Sequence, residues 1–203
     1  MEILESGNNS YLSHKVAEKD GHKGFWLGET PCKFSAIQVD FNTLKTGWGF
    51  YDGQYNYSWD EVVGAKTPRP TDQHKRAFYL WVMVDGIDDK PLLWNRFTFG
   101  EFESLKIMLK QGWNEWQKDK SKLPTYKYTG SEDIKVGMGS TSIAQFDFIG
   151  CRPRKDTFVI PSWDTEPLIS DGEVKMASEK QDFQKLVNNA ENENGLTFDD
   201  IPF

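Results

Sequence analysis

The stretch Arg76-Ala77-Phe78-Tyr79-Leu80-Trp81-Val82-Met83-Val84 decides the fold class. Apolar and aromatic residues run through it without a glycine or a proline, which is typical of a strand. Side chains on a strand alternate between two faces, so Phe78 and the aliphatic residues share one face, while Tyr79 and Trp81 share the other. The stretch therefore predicts a sheet with an aliphatic core side and an aromatic opposite side.

Similar short runs recur from Phe25 to Trp163, separated by residues that favour turns. They predict further strands at residues 34–39, 54–59, 92–99, 126–128, 134–138, 143–149 and 157–160. In the second of these runs, Tyr55, Tyr57 and Trp59 alternate with polar residues, which places all three rings on one face. Those rings either project from the sheet or fill its core, and the pattern alone leaves both interpretations open.

One helix is predicted between the strands, from Gly100 to Lys120. Large apolar residues recur there at steps of three to four residues, as they do in an amphipathic helix. A chain with at least five strands and one intercalated helix is mainly β, and it fits an OB-fold-like barrel. A generic α+β sandwich fits nearly as well and remains the alternative.

Composition divides the chain into four parts. Residues 1–24 mix Ser, Asn, Glu and Lys and are predicted to form a flexible N-terminal segment, whereas residues 25–167 carry the predicted strands. Residues 168–195 are rich in Glu, Asn, Gln and Lys, and a stretch so polar cannot bury a core of its own, so it is predicted to be a linker. Residues 196–203 return to large apolar side chains and form a separate tip.

The net charge of −7 is unevenly distributed along the 203 residues. Eight acidic residues and three lysines give residues 171–203 a charge of −5, which leaves −2 for residues 1–170. An acidic chain taken as a whole argues against a nucleic-acid partner, because polyphosphate binding needs a basic surface. Because residues 1–170 are nearly neutral, the net charge does not argue against nucleic-acid binding by the predicted folded domain.

Cations lie next to several of the rings on the predicted strands. Lys75 and Arg76 lead into the stretch quoted above, Arg96 follows Trp94, and Trp48 stands on a predicted flexible loop. Rings that stack on bases, together with cations that contact phosphates, are what a protein needs to bind a single strand without sequence preference. The candidate residues for binding single-stranded DNA are Trp48, Tyr55, Tyr57, Trp59, Lys75, Arg76, Tyr79, Trp81, Trp94, Arg96, Arg152 and Arg154.

Several classes of protein are excluded by what the sequence lacks. It has no apolar run of the roughly 18 residues that a membrane span needs, and no apolar signal region at its start. Cys32 and Cys151 are isolated, and no P-loop, Gly-rich dinucleotide loop, nucleophile elbow or cluster of metal ligands occurs. We therefore predict a cytoplasmic protein that is not an enzyme and that has no membrane contact, no metal and no cofactor. The sequence leaves a homodimer open.

The chain ends with Asp199-Asp200-Ile201-Pro202-Phe203. A terminal Phe places a ring beside the free α-carboxylate, which suits a receptor with an apolar pocket next to a basic residue. Pro202 stiffens the approach, and the two aspartates add charges for a basic rim. We expect this tip to bind a partner protein; packing back onto the parent domain and a chance ending are the alternatives.

This end resembles the acidic C-terminal tip of bacterial single-stranded DNA-binding proteins, which finish in a run of Asp followed by Ile-Pro-Phe. The resemblance implies that the tip recruits replication, recombination and repair enzymes, with Phe203 and its carboxylate as the anchor. Phe198 stands where that family usually has another Asp. The preceding aromatic domain looks like a bacteriophage single-stranded DNA-binding protein of OB type, which implies coating and protecting single-stranded DNA in the cytoplasm of a bacterial host. The alternative is an adaptor that docks on host enzymes through the tip without binding DNA.

Overall fold

The computed structural model describes residues 11–19, 21–65, 67–87, 90–137, 139–161 and 164. Nine strands and one α-helix lie in this part of the chain. The elements are β1 (Leu12–Lys19), β2 (His22–Leu27), β3 (Thr30–Pro31), β4 (Ala36–Tyr51), β5 (Tyr55–Trp59), β6 (Lys75–Val84), β7 (Leu92–Arg96), α1 (Phe99–Lys118), β8 (Lys122–Val136) and β9 (Gly139–Pro153). The prediction of a mainly β chain with one helix is confirmed.

The strands form two sheets. The main sheet has six strands in the order β7-β6-β4-β8-β9, with β5 paired to the second half of β4, and the small sheet has the order β1-β2-β3. All pairings between the named strands are antiparallel, and a parallel bridge between Tyr11 and Leu93 joins the small sheet to β7. Within the described ranges β7 and β9 do not pair with each other, so these strands do not close into a barrel.

The main core lies between one face of the large sheet, the helix and the small sheet. Phe25 from β2 is its centre, with ring centroids 5.0 Å from Phe34, 5.2 Å from Tyr128 and 5.7 Å from Trp94. Phe78 and the aliphatic residues of β6 face this core, as their alternation predicts. Each large side chain buried here contributes about 1.5–3 kcal/mol relative to an exposed one.

The helix begins after the N-cap residue Thr98, whose side chain pairs with Glu101. The Thr98 hydroxyl accepts from the Glu101 amide at 3.4 Å, and a Glu101 carboxylate oxygen accepts from that hydroxyl at 2.8 Å. Gly112, which lowers helix propensity, is needed for close packing, because a Cβ there would lie 2.1 Å from the Tyr126 hydroxyl. The helix predicted from residue 100 to residue 120 is confirmed within two residues at each end.

The helix also covers the outer edge of β9. Ser104 Oγ accepts from the Ala144 amide at 2.8 Å, and the Gln111 amide group donates to the Phe146 carbonyl and accepts from the Phe148 amide, both at 2.8 Å. These bonds satisfy backbone groups that an open edge strand would expose to pairing with another chain. This edge is therefore already occupied within the molecule.

Several predicted boundaries are wrong. The predicted flexible segment 1–24 includes β1 and the start of β2, and Leu12 is fully buried in the main core. The polar residues Ser13 and His14 are buried beside Leu12, so no alternation of apolar and polar residues marks this strand in the sequence. The strand predicted at residues 157–160 is absent, although Phe158 is buried. The first ten residues, the whole predicted linker at 168–195 and the tip at 196–203 lie outside the described residues.

Candidate nucleic-acid interface

Four rings lie along the β4–β5 hairpin on the face of the main sheet that is opposite the helix. We call Tyr51, Tyr55, Tyr57 and Trp59 the aromatic row. The Tyr57 and Trp59 rings are stacked with centroids 4.9 Å apart and planes 8° apart, and the Tyr55 and Tyr57 rings lie 6.4 Å apart at 11°. Tyr51 meets Tyr55 at 5.0 Å across the hairpin. The predicted common face of the three β5 rings is confirmed.

Two glycines of β4 make room for these rings. Gly47 is the register partner of Trp59, and Gly49 is the register partner of Tyr57. A Cβ on Gly49 would lie 2.9 Å from the Tyr57 ring and 3.2 Å from the Phe97 ring, closer than carbon atoms approach in ordinary packing. The glycines allow the rings to lie over the backbone of the sheet.

The row is open to solvent at its hairpin end. Tyr55 is 63% exposed and Tyr51 is 59% exposed, whereas Tyr57 and Trp59 are half-buried. Burial raises the pKa of Tyr57 to about 12, with the Arg96 charge opposing the shift. Exposed rings on a sheet are surfaces on which bases of a single strand can stack.

The same face is covered at its other end, where Tyr79 and Trp81 continue the line of rings. Trp59 and Tyr79 lie 6.0 Å apart, yet Tyr79 and Trp81 are only 8% and 2% exposed. They belong to a second core cluster with Phe158, and Ile160 packs against it. The expectation that Tyr79 and Trp81 face a bound strand is therefore wrong for this conformation, because the chain after β9 lies over them.

Asp164 completes this covered end, which we define as Tyr79, Trp81, Phe158, Ile160 and Asp164. Its carboxylate accepts a hydrogen bond from the Trp81 indole and lies 3.6 Å from Lys45 Nζ. Lys45 Nζ also lies 4.8 Å from the centroid of the Tyr79 ring. Burial, followed by the hydrogen bond and charge of Asp164, raises the pKa of Tyr79 far above its ordinary value.

Two predicted rings lie on the opposite face. Trp94 is fully buried in the main core, because its register partner is Leu80, and its indole donates to Glu101 at 3.1 Å. Trp48 lies inside β4 rather than on a loop, and its indole donates to the Thr67 carbonyl at 2.9 Å. Neither ring joins the aromatic row, so both predictions of a base-stacking position are corrected.

Three of the four predicted arginines are paired with buried carboxylates. Arg76 donates to Asp60 at 2.8 Å, Arg96 lies 3.4 Å from Glu101, and Arg154 pairs with Asp40. Removing one partner of such a pair leaves an uncompensated buried charge, so these arginines hold the fold together. The remaining predicted cations, Lys75 and Arg152, are exposed.

Lys75 is the exposed cation placed beside the row. It is the register partner of Gly49, on the face that carries Tyr57.

The sequence prediction missed Lys45, Tyr51 and Phe97 on this face. A β-bulge between Asp40 and Lys45 shifts the alternation of side chains along β4. An assignment that takes every second residue from the start of β4 therefore puts Lys45 and Tyr51 on the wrong face of the sheet.

A cleft of about 280 Å³ opens beside Tyr55, and we call it the Tyr55 cleft. Lys15, Asn95, Arg96 and Phe97 are among the residues that line it. Glu101 lies at its base with a fully buried carboxylate, whose pKa is raised by burial against the opposing charge of Arg96. The His14 amide donates to that carboxylate at 2.8 Å, which ties β1 to the start of the helix.

Comparison with known proteins adds no family to this description. No protein-family model matches the chain, and no curated protein or solved structure matches it either. In the part of the chain that the structure describes, no helix is long and apolar enough to cross a membrane. The same residues contain no group of three or more His, Cys, Asp or Glu side chains placed to hold a metal ion.

Proposed function

We propose that this chain binds single-stranded DNA without sequence preference on the sheet face that carries the aromatic row. The observation that supports this most is the row itself, because Tyr51 and Tyr55 expose most of their surface next to the stacked Tyr57 and Trp59. Adjacent exposed rings form an apolar patch, and such patches often mark a binding site. Base stacking on rings tolerates every sequence, since all bases have a π-face.

Positive charge beside the row supports a polyanionic partner. Lys75 is exposed next to Gly49, and Lys45 on the same face keeps part of its side chain in solvent. Contacts between such cations and phosphates release counterions, so binding should weaken steeply as the salt concentration rises.

The remaining parts of the proposal rest on the sequence. The mainly β sheet with a helix between β7 and β8 supports an OB-type domain, and the terminal Asp-Asp-Ile-Pro-Phe supports recruitment of partner enzymes by the tip. In this proposal the protein coats and protects single strands during bacteriophage replication, recombination and repair in the host cytoplasm. The linker gives the tip its reach.

The direct test is fluorescence anisotropy with a labelled oligothymidylate and the full chain, compared with a duplex of the same length. Tyr55→Ala should weaken single-strand binding by about 1–3 kcal/mol, which is the typical contribution of one stacked base. Tyr55→Phe keeps the ring and removes only the hydroxyl, so it should bind as the wild type does. Equal affinities of both variants and the wild type would contradict stacking on the row.

The adaptor hypothesis is decided by the same titration. If the wild-type chain binds no single strand at micromolar concentration, the row is not a DNA-binding surface and the tip alone would carry the function. Deleting residues 199–203 should leave single-strand affinity intact and abolish partner binding. Loss of DNA binding on this truncation would contradict the division between domain and tip.

A further inference from the structure

We propose that the Tyr55 cleft holds one nucleotide of the bound strand, with its base against Tyr55 and Phe97 and its phosphate between Lys15 and Arg96. This inference rests on the proposed function, and it adds a built pocket at the open end of the aromatic row. A strand that runs along the row would leave the sheet there. The occupant is a nucleotide because the walls combine rings, cations and a hydrogen-bond acceptor.

The ring wall is continuous with the aromatic row. Tyr55 and Phe97 meet edge to face with centroids 6.0 Å apart and planes 61° apart, and Phe97 also lies 6.2 Å from Tyr57. Tyr55 therefore has neighbours on both sides, the row on one and the cleft on the other. A base stacked on the cleft side would extend the path of bases without a break.

The cation wall comes from two separate elements. Lys15 lies on β1 in an exposed ion pair with Glu29, at 3.5 Å, and over the Trp26 ring at 4.5 Å. Arg96 ends β7, donates to the Asn95 carbonyl at 3.0 Å and keeps part of its guanidinium exposed. Lys15 can exchange its exposed carboxylate partner for a phosphate, and the exposed part of the Arg96 guanidinium can contact the same phosphate while its Nε keeps the pair with Glu101.

The Glu101 carboxylate at the base of the cleft would repel a phosphate if its charge were free. It accepts hydrogen bonds from the His14 amide, the Trp94 indole and the Thr98 hydroxyl, and it pairs with Arg96. These donors compensate its charge inside the protein. The cleft mouth therefore presents the cations and not the acid.

Asn95 supplies the polar contact. Its side chain forms a hydrogen bond with Tyr57 of the aromatic row, and its buried oxygen at the wall of the cleft has no hydrogen-bond partner among the described residues. Buried polar atoms normally have a partner, so an unpaired acceptor at a cleft wall suits an N–H group from a ligand. Each of the four bases carries an N–H group on its Watson–Crick edge, so this contact holds a base without selecting a sequence.

The test compares two matched lysine variants of the full chain. Lys15 and Lys23 both lie on the small sheet, with side chains 30% and 32% exposed, and each is paired with an acidic residue. Only Lys15 lines the cleft. In anisotropy titrations with labelled oligothymidylate, Lys15→Gln should lower the affinity by about fivefold and reduce the salt slope by about one. Lys23→Gln should change neither quantity.

Asn95→Leu provides an independent second variant and should also weaken binding, since it removes the acceptor and keeps the size of the side chain. If the wild type binds the oligothymidylate and the affinities of Lys15→Gln and Lys23→Gln both equal that of the wild type, the cleft holds no nucleotide and the row alone binds the strand. If the wild type binds no single strand, the proposed function fails together with this inference. Thermal unfolding of each variant shows whether it is folded. If Asn95→Leu does not fold, the comparison of Lys15→Gln with Lys23→Gln remains a sufficient test, because both change only surface residues.

Discussion

The aromatic row and the covered end lie on the same sheet face, and they differ in whether another part of the chain packs on them. Tyr55 is 63% exposed, and Trp81, on the same face, is 2% exposed. The covered end buries its rings under Phe158, Ile160 and Asp164, which follow the last strand. The alternation of side chains along a strand therefore predicts on which face of the sheet a ring lies. Whether that face is exposed depends on the segment after β9, which packs over part of it.

The comparison also separates two uses of an aromatic side chain. Rings in the covered end make contacts on all sides and contribute mainly to the free energy of unfolding. Rings at the open end leave water in contact with their faces, so they contribute less to stability and are available to a ligand. Substitutions in the two regions should therefore change different measured quantities.

The largest effect is expected for Trp81→Ala. Removing a fully packed indole leaves a cavity and should lower the free energy of unfolding by about 3–5 kcal/mol. Tyr55→Ala, at the open end, should lower it by less than about 1 kcal/mol. Urea unfolding followed by circular dichroism measures both. A similar loss of stability in the two variants would remove the distinction between the covered and open regions.

The next effect concerns the glycine beneath the row. Gly49→Val places side-chain atoms where the Tyr57 and Phe97 rings lie, so it should cost about 1–3 kcal/mol of stability and weaken single-strand binding as the rings are displaced. Gly139→Val is the matched control, because a Cβ there has only the Val136 carbonyl oxygen within reach, at 3.7 Å. Urea unfolding and anisotropy titrations measure the two consequences. Unchanged binding by the Gly49 variant would show that the ring positions are unimportant for the strand.

The sequence predicted the parts of this face that depend on local alternation. It placed Tyr55, Tyr57 and Trp59 together and separated Phe78 from Tyr79 and Trp81, because each set lies on one regular strand. These assignments need only a period of two. They hold in the structure.

The sequence could not place residues whose surroundings come from distant elements. The bulge in β4 changes the alternation before Lys45 and Tyr51, and no local pattern marks it. Trp94 was expected on the outer face, but its register with Leu80 puts it in the core. Arg96 was expected to face DNA and pairs instead with Glu101, whose carboxylate accepts a hydrogen bond from the Thr98 hydroxyl at the start of the following helix.

The buried Tyr79 of the covered end should make stability depend on pH in the alkaline range. The pKa of Tyr79 is raised above its unfolded value near 10, so the folded state keeps a proton that the unfolded state has lost. The contribution of Tyr79 to the free energy of unfolding should therefore be constant below pH 10 and should fall as the pH rises above 10. Tyr79→Phe should show a smaller fall, measured by urea unfolding at pH 9 and pH 11. An unchanged slope in that variant would mean that Tyr79 is not held in its buried, neutral form.

The smallest effect is expected from Asp164→Asn, which probes what holds the covered end closed. Asparagine can still accept the Trp81 indole hydrogen bond, but it loses the charge that faces Lys45, so stability should change by less than about 1 kcal/mol. The Trp81 indole N–H should nevertheless exchange with solvent faster in the variant, because local opening needs less free energy than global unfolding.

The Trp94 indole N–H, bonded to Glu101 on the other face, is the internal control and should exchange at the wild-type rate in nuclear magnetic resonance spectra. Equal acceleration of both indoles would indicate a global loss of stability, and acceleration of neither would show that the apolar contacts of Phe158 and Ile160 hold the cover in place without Asp164.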